Sequence, residues 1–336
     1  MTFPINRVNE RTFDPAWSGE VFICDIDRTY LYTRFSSLKG LASIPFEFAV
    51  DKQDIEGMVP LLREVRRGPL QQSRNTPLYF ISASPAQLRP VIQRKMLLDG
   101  LEFDGTTFKD WLGVVASLRL RRLKEQLGFK LTALLLQRLD LPAGASQVLI
   151  GDDLEADALV FTLFSDAVSR RLDEERLLGI LGRHGVADDD ARDIGALVAR
   201  IPRGEAVRRA YIRMERSATA EAFLDYWPHV AICSGAFQLA LCLWEQGSIS
   251  DAGVARVARD LRERGAGAEA LDRRLIEACR RGLVTRERVT PLRDALGAAG
   301  LLSPGLDLPE VEAAWREAAE QALADGLWTP RRLLEA

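Results

Sequence analysis

Three short apolar runs in the first half of the chain are each followed at once by polar residues. The runs are Val21–Cys24, Leu78–Ile81 and Val148–Ile150. Runs of this length are typical of strands that are buried on both faces of a parallel sheet. The polar residues that follow them are Asp25-Ile26-Asp27, Ser82-Ala83-Ser84-Pro85 and Gly151-Asp152-Asp153.

Segments with apolar residues at helical spacing separate these strands. They are Met58–Val65, Ala86–Leu98, Leu118–Leu127 and Leu131–Leu139. Strands that alternate with helices predict right-handed βαβ units, and therefore an α/β fold with a doubly wound, Rossmannoid parallel sheet. The carboxyl ends of the strands in such a sheet meet at one crevice, so the polar residues after the three strands are expected to lie together.

The second half of the chain shows a different pattern. From about Leu154 onward, helical spacing dominates, and the interpretation is a phosphate-site domain at residues 1–168 followed by an all-α domain at residues 169–336. Four glycines that separate helical segments are expected at the left-handed position after a helix: Gly185, Gly247, Gly282 and Gly326. The longest apolar stretch, Val230–Trp244, is interpreted as a buried helix, since it is too short to span a bilayer.

Composition narrows the choice of function. The chain has 336 residues, a formal net charge of -3 and a hydrophobic fraction of 47%, which fits two folded domains and does not favour nucleic acid as a partner. Only two histidines and four cysteines without a CxxC pair are present, which argues against a zinc site or a Ser-His-Asp triad. The polar segment Met1–Trp17 lacks the apolar core of a signal peptide, so a cytoplasmic protein is expected.

Asp25 and Asp27 form an Asp-x-Asp pair at the end of the first predicted strand. A carboxylate that attacks a phosphate monoester needs a cation to offset the charge of the dianion. It also needs a second carboxylate that gives a proton to the leaving alkoxide and later takes one from water. The Asp-x-Asp spacing supplies both carboxylates, and the backbone carbonyl of Asp27 is also available to the metal.

The other two strand ends supply the remaining groups. Asp152 is predicted to complete an oxygen shell around Mg²⁺, with Asp157 supporting it one helical turn later. Either Ser82 or Ser84 is expected to donate its hydroxyl to a phosphoryl oxygen. A lysine that balances charge on the phosphoryl group is also expected, and Lys130 and Lys124 are the candidates.

These four elements, in this order, resemble the motifs of the haloacid dehalogenase superfamily. The order is Asp-x-Asp-x-Thr, a serine after a strand, a lysine, and Gly-Asp-x-x-x-x-Asp, across about residues 21 to 165. The finer resemblance is to the catalytic domain of the actin-patch-associated phosphatidate phosphatases. It is carried by Asp25-Ile26-Asp27-x-Thr29, by Phe80-Ile81-Ser82-Ala83-Ser84-Pro85, and by Phe129-Lys130-Leu131 before a helix and Val148–Asp152.

The resemblance implies a role for each matching residue. Asp25 matches the nucleophile and Asp27 the acid/base. Thr29 and Ser82 match the positions that orient phosphate, and the resemblance favours Lys130 over Lys124 as the charge balancer. The implied Mg²⁺ ligands are Asp25, Asp27, Asp152 and Asp157.

Three positions depart from that family's pattern, and they concern the substrate more than the reaction. Position 28 is Arg where the family often has a third Asp, position 153 is Asp instead of Ser, and Ala86 replaces an aromatic residue. The expected function is therefore a magnesium-dependent phosphatase of a small-molecule or lipid phosphate.

Two alternatives stay open. One is a polynucleotide-end phosphatase or phosphotransferase, which a basic groove beside Asp25 would favour. The other is a non-enzymatic helical scaffold, although the presence of Asp25, Asp27, Lys130 and Asp152 together argues against it. The helical half is predicted to cover the site, to bind a protein partner or to form a homo-oligomer.

Overall fold

The computed structural model describes residues 4–32, 49, 52–111, 126–154, 156–215 and 219–335. These residues form one seven-stranded sheet with the strand order β1-β4-β3-β2-β5-β6-β7. The strands are β1 (Ile5–Asn9), β2 (Gly19–Asp25), β3 (Leu78–Pro85), β4 (Gly105–Lys109), β5 (Ala145–Asp152), β6 (Val207–Arg213) and β7 (Val230–Cys233).

The three strands predicted from apolar runs lie side by side at the centre of the sheet. β2 pairs with β3 on one side and with β5 on the other, and both pairings are parallel. Only the edge strand β1 pairs antiparallel, with β4. The predicted α/β fold with a mostly parallel sheet is confirmed, and the carboxyl ends of β2, β3 and β5 lie at the same edge.

The described α-helices follow the strands in order. They are α1 (Met58–Arg67), α2 (Arg89–Leu98), α3 (Leu127–Asp140), α4 (Asp157–Ser169), α5 (Glu174–Arg183), α6 (Asp188–Arg200), α7 (Ala236–Glu245), α8 (Asp251–Glu263), α9 (Ala268–Arg280), α10 (Arg286–Ala298), α11 (Ala313–Asp325) and α12 (Arg331–Glu335). Two 3₁₀ segments cover Ala86–Leu88 and Ala220–Tyr226. The predicted helix at Leu118–Leu127 lies mostly outside the described residues.

Each face of the sheet carries its own hydrophobic cluster, because neighbouring residues of a strand point to opposite faces. Phe22 and Phe80 face a cluster that also contains residues of α1, α2 and α7 to α10. Ile23 and Ile81 face a second cluster, which contains residues of α3 to α6. Helices therefore cover both faces, and residues from both halves of the chain contribute to each cluster.

The interpretation of the second half as all-helical is wrong. β6 and β7 lie beyond residue 168 and continue the same sheet, with β6 paired parallel to β5 and β7 parallel to β6. β6 escapes a search for apolar runs because its sequence, Val-Arg-Arg-Ala-Tyr-Ile-Arg, contains three arginines. Where the chain divides into domains stays a prediction.

The stretch Val230–Trp244 is not one buried helix, as predicted, but a strand followed by a helix. β7 ends at Cys233 and α7 begins at Ala236. Gly235 separates them with a φ of 150°, which side chains rarely allow. Because both elements are buried, the stretch is apolar throughout, and hydrophobicity alone does not show the break.

The predicted helix ends are confirmed. Gly185, Gly247, Gly282 and Gly326 all have positive φ angles, between 67° and 82°. Ser250 then begins α8 and accepts a hydrogen bond from the backbone N–H of Gly253, as an N-cap does. Within the described residues, no helix combines the length and the apolar character that crossing a bilayer requires.

Candidate active site

The candidate site is a buried cluster at the carboxyl ends of β2 and β5. Lys130 lies in the first turn of α3, and its Nζ is 2.9 Å from Oδ1 of Asp25 and 2.5 Å from Oδ1 of Asp157. All three side chains are at most 4% exposed. A buried lysine of this kind is held by its carboxylate partners, since an ammonium without partners is costly to bury.

Gly151 makes the close approach of Asp157 to β5 possible. A Cβ atom at position 151 would lie only 2.2 Å from Oδ2 of Asp157, so any side chain there would displace the carboxylate. The same oxygen accepts a hydrogen bond of 3.1 Å from the backbone N–H of Asp152. The Gly-Asp sequence after the third predicted strand thus has a steric reason as well as a chemical one.

Three carboxylates of this cluster are close enough to share a cation. Asp25, Asp152 and Asp157 each offer an oxygen atom, and these atoms lie within 4.8 Å of one another. All three residues are buried. Carboxylate oxygens are the ligands that Mg²⁺ and Ca²⁺ prefer, so the donor set fits a hard divalent cation.

The side chain of Asp27 lies outside this group and is held by two serines. The Ser82 hydroxyl donates to Oδ2 of Asp27 at 2.5 Å, and the Ser84 hydroxyl donates to Oδ1 at 2.9 Å. Ser82 also accepts a hydrogen bond from the backbone N–H of Ser84 at 3.0 Å. Both serines that the sequence left as alternatives therefore contact the same carboxylate, whereas the predicted metal role of Asp27 stays a prediction.

We expect Ser84→Ala to lower kcat about tenfold, because it removes one of two hydrogen bonds that fix a charged group. Ser82→Ala should have a larger effect, since Ser82 also holds the backbone at Ser84. Steady-state phosphate release measures both. Ser248→Ala is the matched control, because that buried hydroxyl donates to Glu20. Equal kcat values for all three variants would contradict this role of the serines.

A tight turn follows Asp27 and contains Arg28 and Thr29. Arg28 has a φ of 60°, a left-handed conformation that costs a residue with a side chain about 1–2 kcal/mol. Its backbone N–H donates to the Leu31 carbonyl at 2.8 Å. The Thr29 hydroxyl is fully buried and has no hydrogen-bond partner among the described residues.

Arg213, which the sequence interpretation missed, reaches this turn from the end of β6. Its Nε donates to the Arg28 carbonyl at 2.9 Å, and its Nη2 donates to the same oxygen. Arg213 pairs in register with Asp152 across the sheet. The signal that could have found it is a charged residue directly after Tyr211-Ile212, the same arrangement as at the other strand ends.

Of the remaining sequence predictions, two need comment. Lys124, the alternative to Lys130, lies outside the described residues, so only Lys130 is seen in the cluster. Cys24 precedes Asp25 and is fully buried. Burial, followed by the negative charges of Asp25 and Asp157, raises the pKa of the Cys24 thiol well above its ordinary value, so the thiol stays protonated.

Comparison with known families places these residues in one domain. Residues 21–173 match the family model described as the catalytic domain of phosphatidate phosphatase APP1, which spans slightly less than half of the chain. Comparisons with curated proteins and with solved structures give no match. The family resemblance of the motifs is thus confirmed: residues 21–173 belong with the catalytic domain of phosphatidate phosphatase APP1, a haloacid-dehalogenase-like phosphatase family.

Proposed function

We propose that this protein is a magnesium-dependent phosphomonoester hydrolase that works through an aspartyl-phosphate on Asp25, in a doubly wound domain of the haloacid dehalogenase type. The observation that carries the proposal is the buried group of Asp25, Asp152, Asp157 and Lys130 at adjoining strand ends. The match of residues 21–173 to a phosphatase family supports the same conclusion.

In the first step, a carboxylate oxygen of Asp25 attacks phosphorus and the bond between phosphorus and the leaving oxygen breaks. Lys130 holds Asp25 at 2.9 Å and places a positive charge beside the reacting group. Asp27, in its protonated form, gives its proton to the leaving alkoxide. The products are the free alcohol and a phosphoryl group bound to Asp25.

In the second step, Asp27 takes a proton from a water molecule, whose oxygen attacks the phosphorus. The bond to Asp25 breaks, inorganic phosphate leaves, and both carboxylates return to their starting forms. Ser82 and Ser84 keep the Asp27 carboxylate in one orientation throughout. A buried carboxylate in a fixed position suits proton transfer in both directions.

Asp25, Asp152 and Asp157 are the residues that would hold Mg²⁺. When bound, the ion would offset negative charge on the phosphoryl group. Because the three residues sit at the ends of β2 and β5 and at the start of α4, the sheet sets the spacing of the carboxylates before any ion binds.

The substrate class that the matched family supports is a phosphatidate, a lipid phosphate monoester. The departures at Arg28, Asp153 and Ala86 lie beside the candidate site and make a soluble phosphate monoester the alternative. The two substrate classes share the same reacting group, so the chemistry above applies to either.

The test is phosphate release by the purified protein from a panel of an aryl phosphate, soluble sugar and nucleotide phosphates, and phosphatidate in mixed micelles. We expect release with Mg²⁺ and none with a chelator. Thermal unfolding supplies a second readout, because Mg²⁺ that binds only the folded state raises Tm. The increase in Tm should be lost in Asp152→Asn.

The proposal fails if the whole panel is left intact and Mg²⁺ does not change Tm. Binding of Mg²⁺ without any phosphate release would support a metal-binding scaffold instead. Preferential release from a polynucleotide 5′ or 3′ end would favour the alternative of a polynucleotide-end phosphatase.

A further inference from the structure

The end of β6 contacts both loops that carry the candidate catalytic residues. Arg213 is 6% exposed, and its guanidinium donates from Nε and Nη2 to the backbone carbonyl of Arg28. Arg28 lies between Asp27 and Thr29 in the turn after β2. The contact therefore acts on the backbone of this turn and does not depend on the Arg28 side chain.

The turn needs such support because Arg28 adopts a left-handed backbone conformation. A residue with a side chain keeps this conformation only when surrounding contacts impose it. Within the turn, the Arg28 N–H donates to the Leu31 carbonyl at 2.8 Å. Arg213 fixes the other end of the same residue from a different strand.

The second contact runs to the loop after β5. The backbone N–H of Glu215 donates to Oδ1 of Asp153 at 2.8 Å. The Glu215 carboxylate also accepts from Arg213, with 3.1 Å between Oε2 and Nη2. Arg28 and Asp153 are two of the positions where the sequence departs from the family pattern, and both are contacted by residues 213–215.

We propose that Arg213 is a positioning residue that holds the Asp25–Thr29 turn in its reactive geometry relative to the Asp152–Asp153 loop. The inference rests on the proposed function for its consequence in catalysis. It also assigns part of the second half of the chain, beyond the matched residues 21–173, to the working site.

Arg213→Met tests this inference, with Arg213→Lys as the conservative variant. Small displacements of reacting groups cost on the order of 100-fold in rate, so Arg213→Met should lower kcat by about that factor with little change in KM. Arg213→Lys retains one donor and should recover a large part of the loss. A purely structural role would not separate kcat from KM in this way.

Arg138→Met is the matched control. Arg138 is also buried, and it donates to the carbonyls of Ala145 and Ala143, at the opposite end of β5. We expect this variant to lose stability but to keep the kcat of the wild type. Hydrogen–deuterium exchange of the peptide that contains Asp25–Thr29 should rise in Arg213→Met and stay unchanged in Arg138→Met.

The inference is overturned if Arg213→Met keeps the wild-type kcat, or if exchange of the turn does not change. It is also overturned if both arginine variants lose kcat equally. Exchange is measured without substrate, so it decides the positioning role even in a protein that shows no phosphatase activity. Faster exchange in an inactive wild-type background would support the contact and refute the proposed function alone.

Discussion

Replacement of Asp25 by Asn is expected to lower phosphate release by at least about 10⁴-fold, the scale of loss when an enzyme loses its nucleophile. Asn has almost the same shape as Asp but cannot form an acyl-phosphate. Lys130 keeps its contact with Asp157 in this variant, so the protein should remain folded. Phosphate release at saturating substrate and circular dichroism measure the two effects.

Asp166→Asn is the control for this variant. Asp166 is also fully buried, but it accepts hydrogen bonds from the backbone N–H groups of Trp328 and Thr329, at 3.0 and 2.7 Å. This variant should lose stability and retain kcat. If Asp25→Asn kept substantial activity, or if Asp166→Asn lost as much, Asp25 would not be the nucleophile.

Lys130→Met should reduce both activity and stability. The variant leaves the buried carboxylates of Asp25 and Asp157 without their ammonium partner, and breaking a buried ion pair costs roughly 3–5 kcal/mol. Loss of a positive charge beside the reacting phosphoryl group should lower kcat by on the order of 10²–10³-fold. Urea unfolding without Mg²⁺ and steady-state kinetics measure these effects.

Lys95→Met offers a matched comparison, because Lys95 is a buried lysine between Asp54 and Asp99 outside the strand-end cluster. It should lower stability without a large effect on kcat. Equal kcat values for the two lysine variants would show that Lys130 has only a structural role.

The central strands could be predicted from the sequence because burial on both faces makes them continuously apolar. β2, β3 and β5 have this character, whereas the edge strand β1 (Ile-Asn-Arg-Val-Asn) and β4 (Gly-Thr-Thr-Phe-Lys) do not. β6 was hidden by its arginines, and β7 merged with the apolar helix that follows it. The missed strands are those whose environment differs from that of the sheet centre.

Much of the candidate site followed from the chemistry of the strand ends. The approach of Asp25, Lys130, Asp152 and Asp157 was expected, since parallel strands deliver their carboxyl ends to one edge. The pairing of Asp27 with both Ser82 and Ser84 was not, because it depends on side-chain directions within two loops. Arg213 lies more than 180 residues from the turn that it contacts, and only the sheet order brings them together.

Trapping of the covalent intermediate tests the central claim most directly. Borohydride reduces an aspartyl-phosphate to homoserine, so the protein would be quenched with borohydride during turnover of a substrate that it hydrolyses, and then digested for mass spectrometry. We predict homoserine at position 25, and none when substrate is omitted. Reduction at another carboxylate, or continued turnover without any modification at position 25, would contradict the assignment of Asp25 as the residue that takes the phosphoryl group.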